Sequence, residues 1–492
     1  MKDLTEKTIR GGFAKVCAQA ANFGLRIGAL MVLGRLLDPK DFGLVGMVTA
    51  VIGVLHLFKD FGLSTATIQR KTISTEQLST LFWINMLVGG VLGLLSLILA
   101  PAIAAFYHEP RLVLVTSVLA AGFLFNAAGV QHSALLQRQM RFTTAAVIDT
   151  IALVISIAIA IGMAFAGYRY WAIVAMTITQ PFVSTIGCWI ATAWIPGPPA
   201  RRSELRSMMR FGGTITVNGL IVYIAYNLEK VLLGRYWGAT AIGIYGRAYQ
   251  LINIPTENLV GATGGVAFSA LSRLQDDPVR LKSYFLKGYS LVLALTIPIT
   301  LACALFAGDL IRVVLGPKWH DAVPIFQLLA PTILIFAMIN PLAWLLFALG
   351  MVARSLKVAL VLAPLVIVGY IIGLPHGPTG VALAYSAVMT VWAIPHIAWC
   401  VHGTVISLRD ILTTVSRPLV SGLVSAGLAF AAQLSYGDLL SPLPRLLLGG
   451  SLLLAVYLGM LLYVMKQKSF YLDLFARLLK RPPAEEQVLI SA

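Results

Sequence analysis

The chain has 492 residues, 58% of them hydrophobic and 12% charged, with a mean hydropathy of +0.85. Water-facing domains are about one-quarter charged, so a soluble fold is excluded and most of the surface must meet lipid. The net charge of +17 raises nucleic acid as a partner, but basic membrane loops account for it and no nucleic acid is expected.

A helix needs about 20 apolar residues to cross ~30 Å of hydrocarbon. The apolar runs here, such as Leu81 to Ala105, are continuous rather than alternating, which argues against a β-barrel. The fold class is all-α and polytopic. The first residues, MKDLTEKTIRGGFAK, are basic, with no small-residue cleavage site behind a short apolar core. They are expected to head a retained first span. Windows bounded by charges, Gly and Pro predict fourteen spans, at 13–34, 42–58, 80–106, 112–134, 145–166, 170–193, 213–234, 239–262, 285–307, 322–349, 355–374, 378–402, 411–434 and 444–465.

With the N-terminus inside, loops on the cytoplasmic side carry about three times as many Lys and Arg as the opposite loops. Residues such as Arg201, Arg202, Arg206 and Arg210 oppose a sparse set including Arg35, Arg111 and Lys318. Both termini are therefore expected in the cytoplasm.

Laid over itself at an offset of 200, the chain repeats: Gly12, Leu33, Gly34, Arg35, Gly43 and Gly46 fall on Gly212, Leu233, Gly234, Arg235, Gly243 and Gly246. Six spans separate the copies, so they share an orientation. That predicts two parallel six-helix lobes plus two C-terminal helices, the arrangement of transporters that rock about a site between lobes. The division is 1–200 for helices 1–6, 201–402 for helices 7–12, 403–465 for the extra pair and 466–492 for a basic cytoplasmic tail.

A charge at membrane depth costs several kcal/mol and calls for a partner or a hydrated cavity. Lys15, Gln19, Asn22 and Arg26 recur at helical spacing and form one polar stripe on the first span. The seventh span shows Thr214, Asn218, Tyr226, Glu229 and Lys230, and the eighth adds Arg247, Tyr249, Gln250, Asn253 and Glu257. One reading is a hydrated central cavity with Arg26 and Arg247 as anion contacts, since Arg grips phosphate bidentately and suits a diphosphate. The other is structural: Arg247 paired with Glu229 or Glu257, and Lys230 snorkelling to the interface. Prolines 181, 255, 298, 341 and 395 lie inside apolar runs and read as hinges or fixed bends. In FGLSTATIQRKTIS (61–74), Arg70 and Lys71 read as headgroup contacts or as positive-inside anchors. The four cysteines, Cys17, Cys188, Cys303 and Cys400, stand apart in apolar runs, so neither a disulfide framework nor a metal site is suggested. No catalytic motif emerges: P-loop, GxSxG, HExxH and paired carboxylates in a long outer loop are all missing from the sequence.

Several strings carry a family resemblance: LGRLLDPKDFGLVGMV (33–48), DFGLSTATIQRKTISTEQLSTLFWIN (60–85), GIYGRAYQLINIPTENL (243–259), FSALSRLQDDPVRLKSYFLKG (268–288) and VLGPKWHDAVPIFQLLAP (314–331). On these the chain resembles the polysaccharide transporter family of the multidrug/oligosaccharidyl-lipid/polysaccharide exporter superfamily, and within it the lipopolysaccharide and exopolysaccharide flippases. The resemblance implies two lobes around a cationic cavity. It implies movement of an undecaprenyl-diphosphate-linked oligosaccharide across the bacterial inner membrane by alternating access, with Arg26 and Arg247 as the positional matches to cavity arginines. No cofactor is called for, and a proton or sodium ion is the candidate driving ion. The acidic site that drug-exporting relatives use on the first helix is absent, since positions 16–34 hold no Asp or Glu. Partners expected are the lipid-linked substrate, membrane lipids, and the glycan polymerase and glycosyltransferases of the same pathway. Two alternatives stand beside this reading. A drug or cation antiporter of the same superfamily would want an acidic cavity. A polytopic glycan polymerase or glycosyltransferase would want a long outer loop, where these connections are short.

Overall fold

The computed structural model describes residues 2–59, 67, 73–199, 223–436 and 439–471. Among them every regular element is helical. In chain order these are α1 (Lys2–Leu36), α2 (Pro39–His56), α3 (Thr75–Tyr107), α4 (Leu112–Arg138), α5 (Phe142–Phe165), α6 (Tyr170–Thr192) and α7 (Leu228–Arg273). There follow α8 (Pro278–Leu305), α9 (Ala307–Val314), α10 (Ala322–Leu329), α11 (Pro331–Ala348), α12 (Val352–Gly373), α13 (Gly377–Val401), α14 (Leu408–Tyr436) and α15 (Pro442–Gly459).

Local chemistry sets the ends. Ser74 and Gln77 satisfy each other's backbone N–H groups at 3.1 and 3.2 Å to start α3, and Ser407 with Asp410 does the same for α14. Asp277 caps α8 ahead of Pro278. Within α7 the chain breaks at Gly238, whose φ of 80° favours glycine; this separates the predicted seventh and eighth spans. Among the described residues nine helical stretches are long and apolar enough to cross a membrane. One of them, Val352–Val401, holds two predicted spans joined through a short 3₁₀ turn at Leu374–His376. The short α9, just beyond the predicted ninth span, is an element the hydropathy reading did not contain.

Contacts divide the chain into two compact units. The first comprises Met1–Arg247, Val314–His320 and Ile367–Val381. Its helices pack as α3 on α4, α4 on α6, α6 on α5 and α5 on α1. Ala29 of α1 meets Leu153 and Ile157 of α5, and Leu136, Ile148 and Cys188 join α4, α5 and α6. His132 is buried here, with Nδ1 2.8 Å from the Thr192 hydroxyl and its ring against Trp189.

The second unit comprises Ala248–Val313, Asp321–Val366 and Ala382–Ala492. Its core joins α8, α11, α13 and α14, with Tyr457 and Tyr471 closing it. The extra C-terminal pair is built into this unit: Gly422 admits Ile297 and Leu301 of α8, Arg445 of α15 reaches Asp309 at 2.5 Å, and Lys282 reaches Asp410 at 2.6 Å.

Candidate functional site

The described part of the α1 polar stripe runs from Gln19, which is exposed, through Asn22 to Arg26. Arg26 is exposed, and Asn22 is half-buried with an Oδ1 that has no hydrogen-bond partner. Arg26 is one turn before Ala29, which packs on Leu153; Asp149 is one turn before Leu153 on α5. This register brings Arg26 and Asp149 close enough for their charges to interact through space. Asp149 is also exposed, and its Oδ1 accepts a 3.2 Å hydrogen bond from the Ser184 hydroxyl of α6. Beyond Ser184 opens a cleft of about 280 Å³, whose polar lining includes Lys59, Asn126, Ser133, Gln137, Ser184 and Thr185. Exposed Arg26 and Asp149, together with the hydroxyl and amide groups of the cleft that Ser184 lines, describe wet surface, because hydrocarbon does not tolerate them.

Arg247 belongs to a different environment. It is half-buried, its guanidinium 4.2 Å from the centroid of the Phe42 ring, and Phe42 meets Trp319 edge-on at 5.4 Å. Around it the two repeat copies cross. A β-carbon on Gly43 would lie 1.7 Å from the Ala239 carbonyl oxygen, and one on Gly243 would lie 1.8 Å from that of Pro39. The contacts are reciprocal: residues 39 and 239, like 43 and 243, are 200 apart. The sequence offset thus exists in space as two helices crossing at glycines, where the missing side chains allow backbone contact. Gly34 receives the Trp319 indole N–H on its carbonyl at 2.7 Å, and Lys318 meets Asp38 at 2.8 Å. On the second copy, Gly234 packs on Tyr107, and Arg235 lies 2.6 Å from His108 and over Phe106.

The other residues singled out in the sequence separate. Glu229 is 1% exposed with neither oxygen hydrogen-bonded, and Lys230 approaches it at 4.0 Å while donating to Asn227 at 2.7 Å. Burial takes Glu229 off any open surface. Gln250, Asn253 and Glu257 follow on α7 within the second unit, Gln250 and Glu257 exposed and Asn253 half-buried. Asn218, Arg70 and Lys71 lie outside the described residues. The stripe reading missed Asp149 and Ser184, because neither lies on the helix that carries Arg26. The signal for Asp149 was a lone acid in the apolar run 145–166.

The profile of a family described as "Polysaccharide biosynthesis protein" matches residues 32–324. The lipopolysaccharide biosynthesis protein WzxC of Escherichia coli is 28% identical over 398 residues, covering 79% of this chain and 80% of that protein. The teichuronic acid biosynthesis protein TuaB of Bacillus subtilis is 30% identical over 59% of this chain and 61% of its own. Among solved structures, the lipid II flippase MurJ in an inward closed conformation superposes with a TM-score of 0.75 at 14% identity, covering 94% of this chain and 99% of that one. An inward-facing multidrug transporter of the MATE family gives 0.62 at 13% identity, covering 80% and 95%. At such identities the likeness is one of fold, that of a polytopic helical transporter. Since the matched profile spans more than half of the sequence and includes both copies of the glycine crossing, the chain belongs to the polysaccharide biosynthesis protein family.

Proposed function

We propose that this protein is a flippase that moves an undecaprenyl-diphosphate-linked oligosaccharide across the bacterial inner membrane by alternating access, as a transporter rather than an enzyme. The observation that carries the reading is the open polar face centred on Arg26, in a family of polysaccharide biosynthesis proteins. An amphiphile with a charged diphosphate and a hydroxyl-rich glycan needs a hydrated, cationic path through lipid. Arg26 supplies the fork-shaped donor for the diphosphate, and the neighbouring amides and hydroxyls suit sugar. The relatives named for lipopolysaccharide, teichuronic acid and succinoglycan biosynthesis, the last a transport protein, support a glycan cargo. The flippase fold of MurJ supports a lipid-linked one.

In this reading both termini are cytoplasmic, 1–200 and 201–402 are the moving lobes, a proton or sodium ion drives the cycle, and the glycine crossing closes the periplasmic side. Deleting the gene should leave lipid-linked oligosaccharide on the cytoplasmic leaflet and deplete the surface glycan. Purified protein in vesicles should move that lipid between leaflets. Failure of the purified protein to move it, with the fold intact, would overturn the assignment. Cysteine labelling tests the orientation: position 202 should react only from the cytoplasm and position 318 only from the periplasm.

A further inference from the structure

We infer that Asp149 is the built-in counter-charge of Arg26, which competes with a bound diphosphate-type anion and so lets the site release it. The inference rests on the reading of Arg26 as an anion contact. Its own warrant is the packing of α1 on α5. The contact of Ala29 with Leu153 sets Arg26 and Asp149 one turn away on adjoining helices, and their charges interact without direct contact. Ser184, at 3.2 Å, holds the carboxylate from the other side. Both charged groups are exposed, and Ser184 also lines the polar cleft.

A transporter must let go of what it binds. An unopposed arginine facing a diphosphate would hold it through two charge-assisted bonds and release it slowly. A carboxylate on the adjoining helix repels the incoming anion, weakens its hold and takes its place as the partner of the guanidinium once it leaves. The position fits that task better than a structural clamp. A clamp would be a direct ion pair, and the salt bridges among the described residues do not include this pair. The neighbours of Asp149 on α6 are Ser184 and Cys188, and the cleft that these two line also carries the charge of Lys59. Asp149 is therefore a positioning residue acting through Arg26.

The test uses the purified full chain in detergent with inorganic pyrophosphate as probe, together with glycan export per folded molecule in cells. Asp149→Asn should bind pyrophosphate about fivefold or more tightly, the lower end of a typical coupling between sites, while maximal export falls and half-saturation shifts to lower substrate. Asp149→Glu, which restores the charge, should return both toward the original values. If the Asn variant does not fold, Asp149→Ser removes the charge and keeps a small polar group for Ser184. Arg26→Ala separates the two levels of the argument. If it abolishes pyrophosphate binding while the charge-removing variants bind no more tightly than the original, the counter-charge is overturned and the anion site stands. If Arg26→Ala binds pyrophosphate as well as the original chain, the anion site itself fails. A clamp predicts lowered thermal stability for Asp149→Asn with unchanged affinity, which would also overturn the proposal.

Discussion

The surroundings of Arg26 and of Arg247 are two solutions to one problem, an arginine on an apolar helix. Arg26 is exposed beside a carboxylate on a neighbouring helix and a polar cleft. Arg247 is half-buried over an aromatic ring, beside a crossing so close that glycine is required on both strands of the repeat. In the first case the guanidinium is exposed; in the second it packs over the ring. The residue type is the same, and the neighbours set how far each guanidinium is exposed.

The largest expected effect lies at the crossing. Gly43→Val or Gly243→Val would place a β-carbon within 2 Å of a backbone carbonyl oxygen, which no rotamer relieves. The crossing must open, and export should vanish. Gly24→Ala and Gly28→Ala, which meet nothing within 4 Å, are the controls and should export normally. Normal export by the Gly43 variant would show that the close approach is dispensable and dissolve the contrast between the two regions.

Next in size is Arg26 itself. Arg26→Ala should abolish export at normal membrane abundance, and Arg26→Lys should restore only part of it, because an ammonium cannot make the bidentate contact. Export and abundance measured together decide this. Normal export per folded Arg26→Ala molecule would make the open face irrelevant to transport.

Arg247→Ala should behave in the opposite way. Losing the contact over Phe42 costs about 1–2 kcal/mol, so folded protein should decrease and thermal stability should fall, with export per molecule largely kept. Loss of export at full abundance would move Arg247 into the substrate site and erase the distinction.

The smallest effect is a calibration at neither region. In the loop between α3 and α4, Arg111 grips Glu109 with two bonds of 2.7 and 2.8 Å. These bonds hold the Glu109 carboxyl below its ordinary value. A lowered carboxylate stabilises the fold above its unfolded pKa and loses that contribution as pH falls through the folded value. Glu109→Gln should therefore cost about 0.5 kcal/mol near neutral pH, as expected of an exposed pair, and nothing in acid. Thermal unfolding against pH reads the difference.

Much of this molecule was legible before folding. Apolar length determined which segments become helices, because a chain in lipid has to satisfy its backbone internally. The strings shared with the family and the glycine repeat at an offset of 200 are linear features, as is the polar stripe leading to Arg26. Periodicity reads one helix face at a time, however, and has no knowledge of what lies across the gap. It paired Arg26 with Arg247, whereas the register of α1 on α5 supplied Asp149, and an aromatic ring covered Arg247. It placed Glu229 among cavity residues, whereas packing left that carboxyl 1% exposed. The repeat announced that Gly43 and Gly243 were equivalent; only the tertiary structure set each against the other's copy, at Ala239 and Pro39. The reason is the same throughout: composition and spacing settle which groups a helix carries on each face, and the packing register between helices settles which of those groups meet.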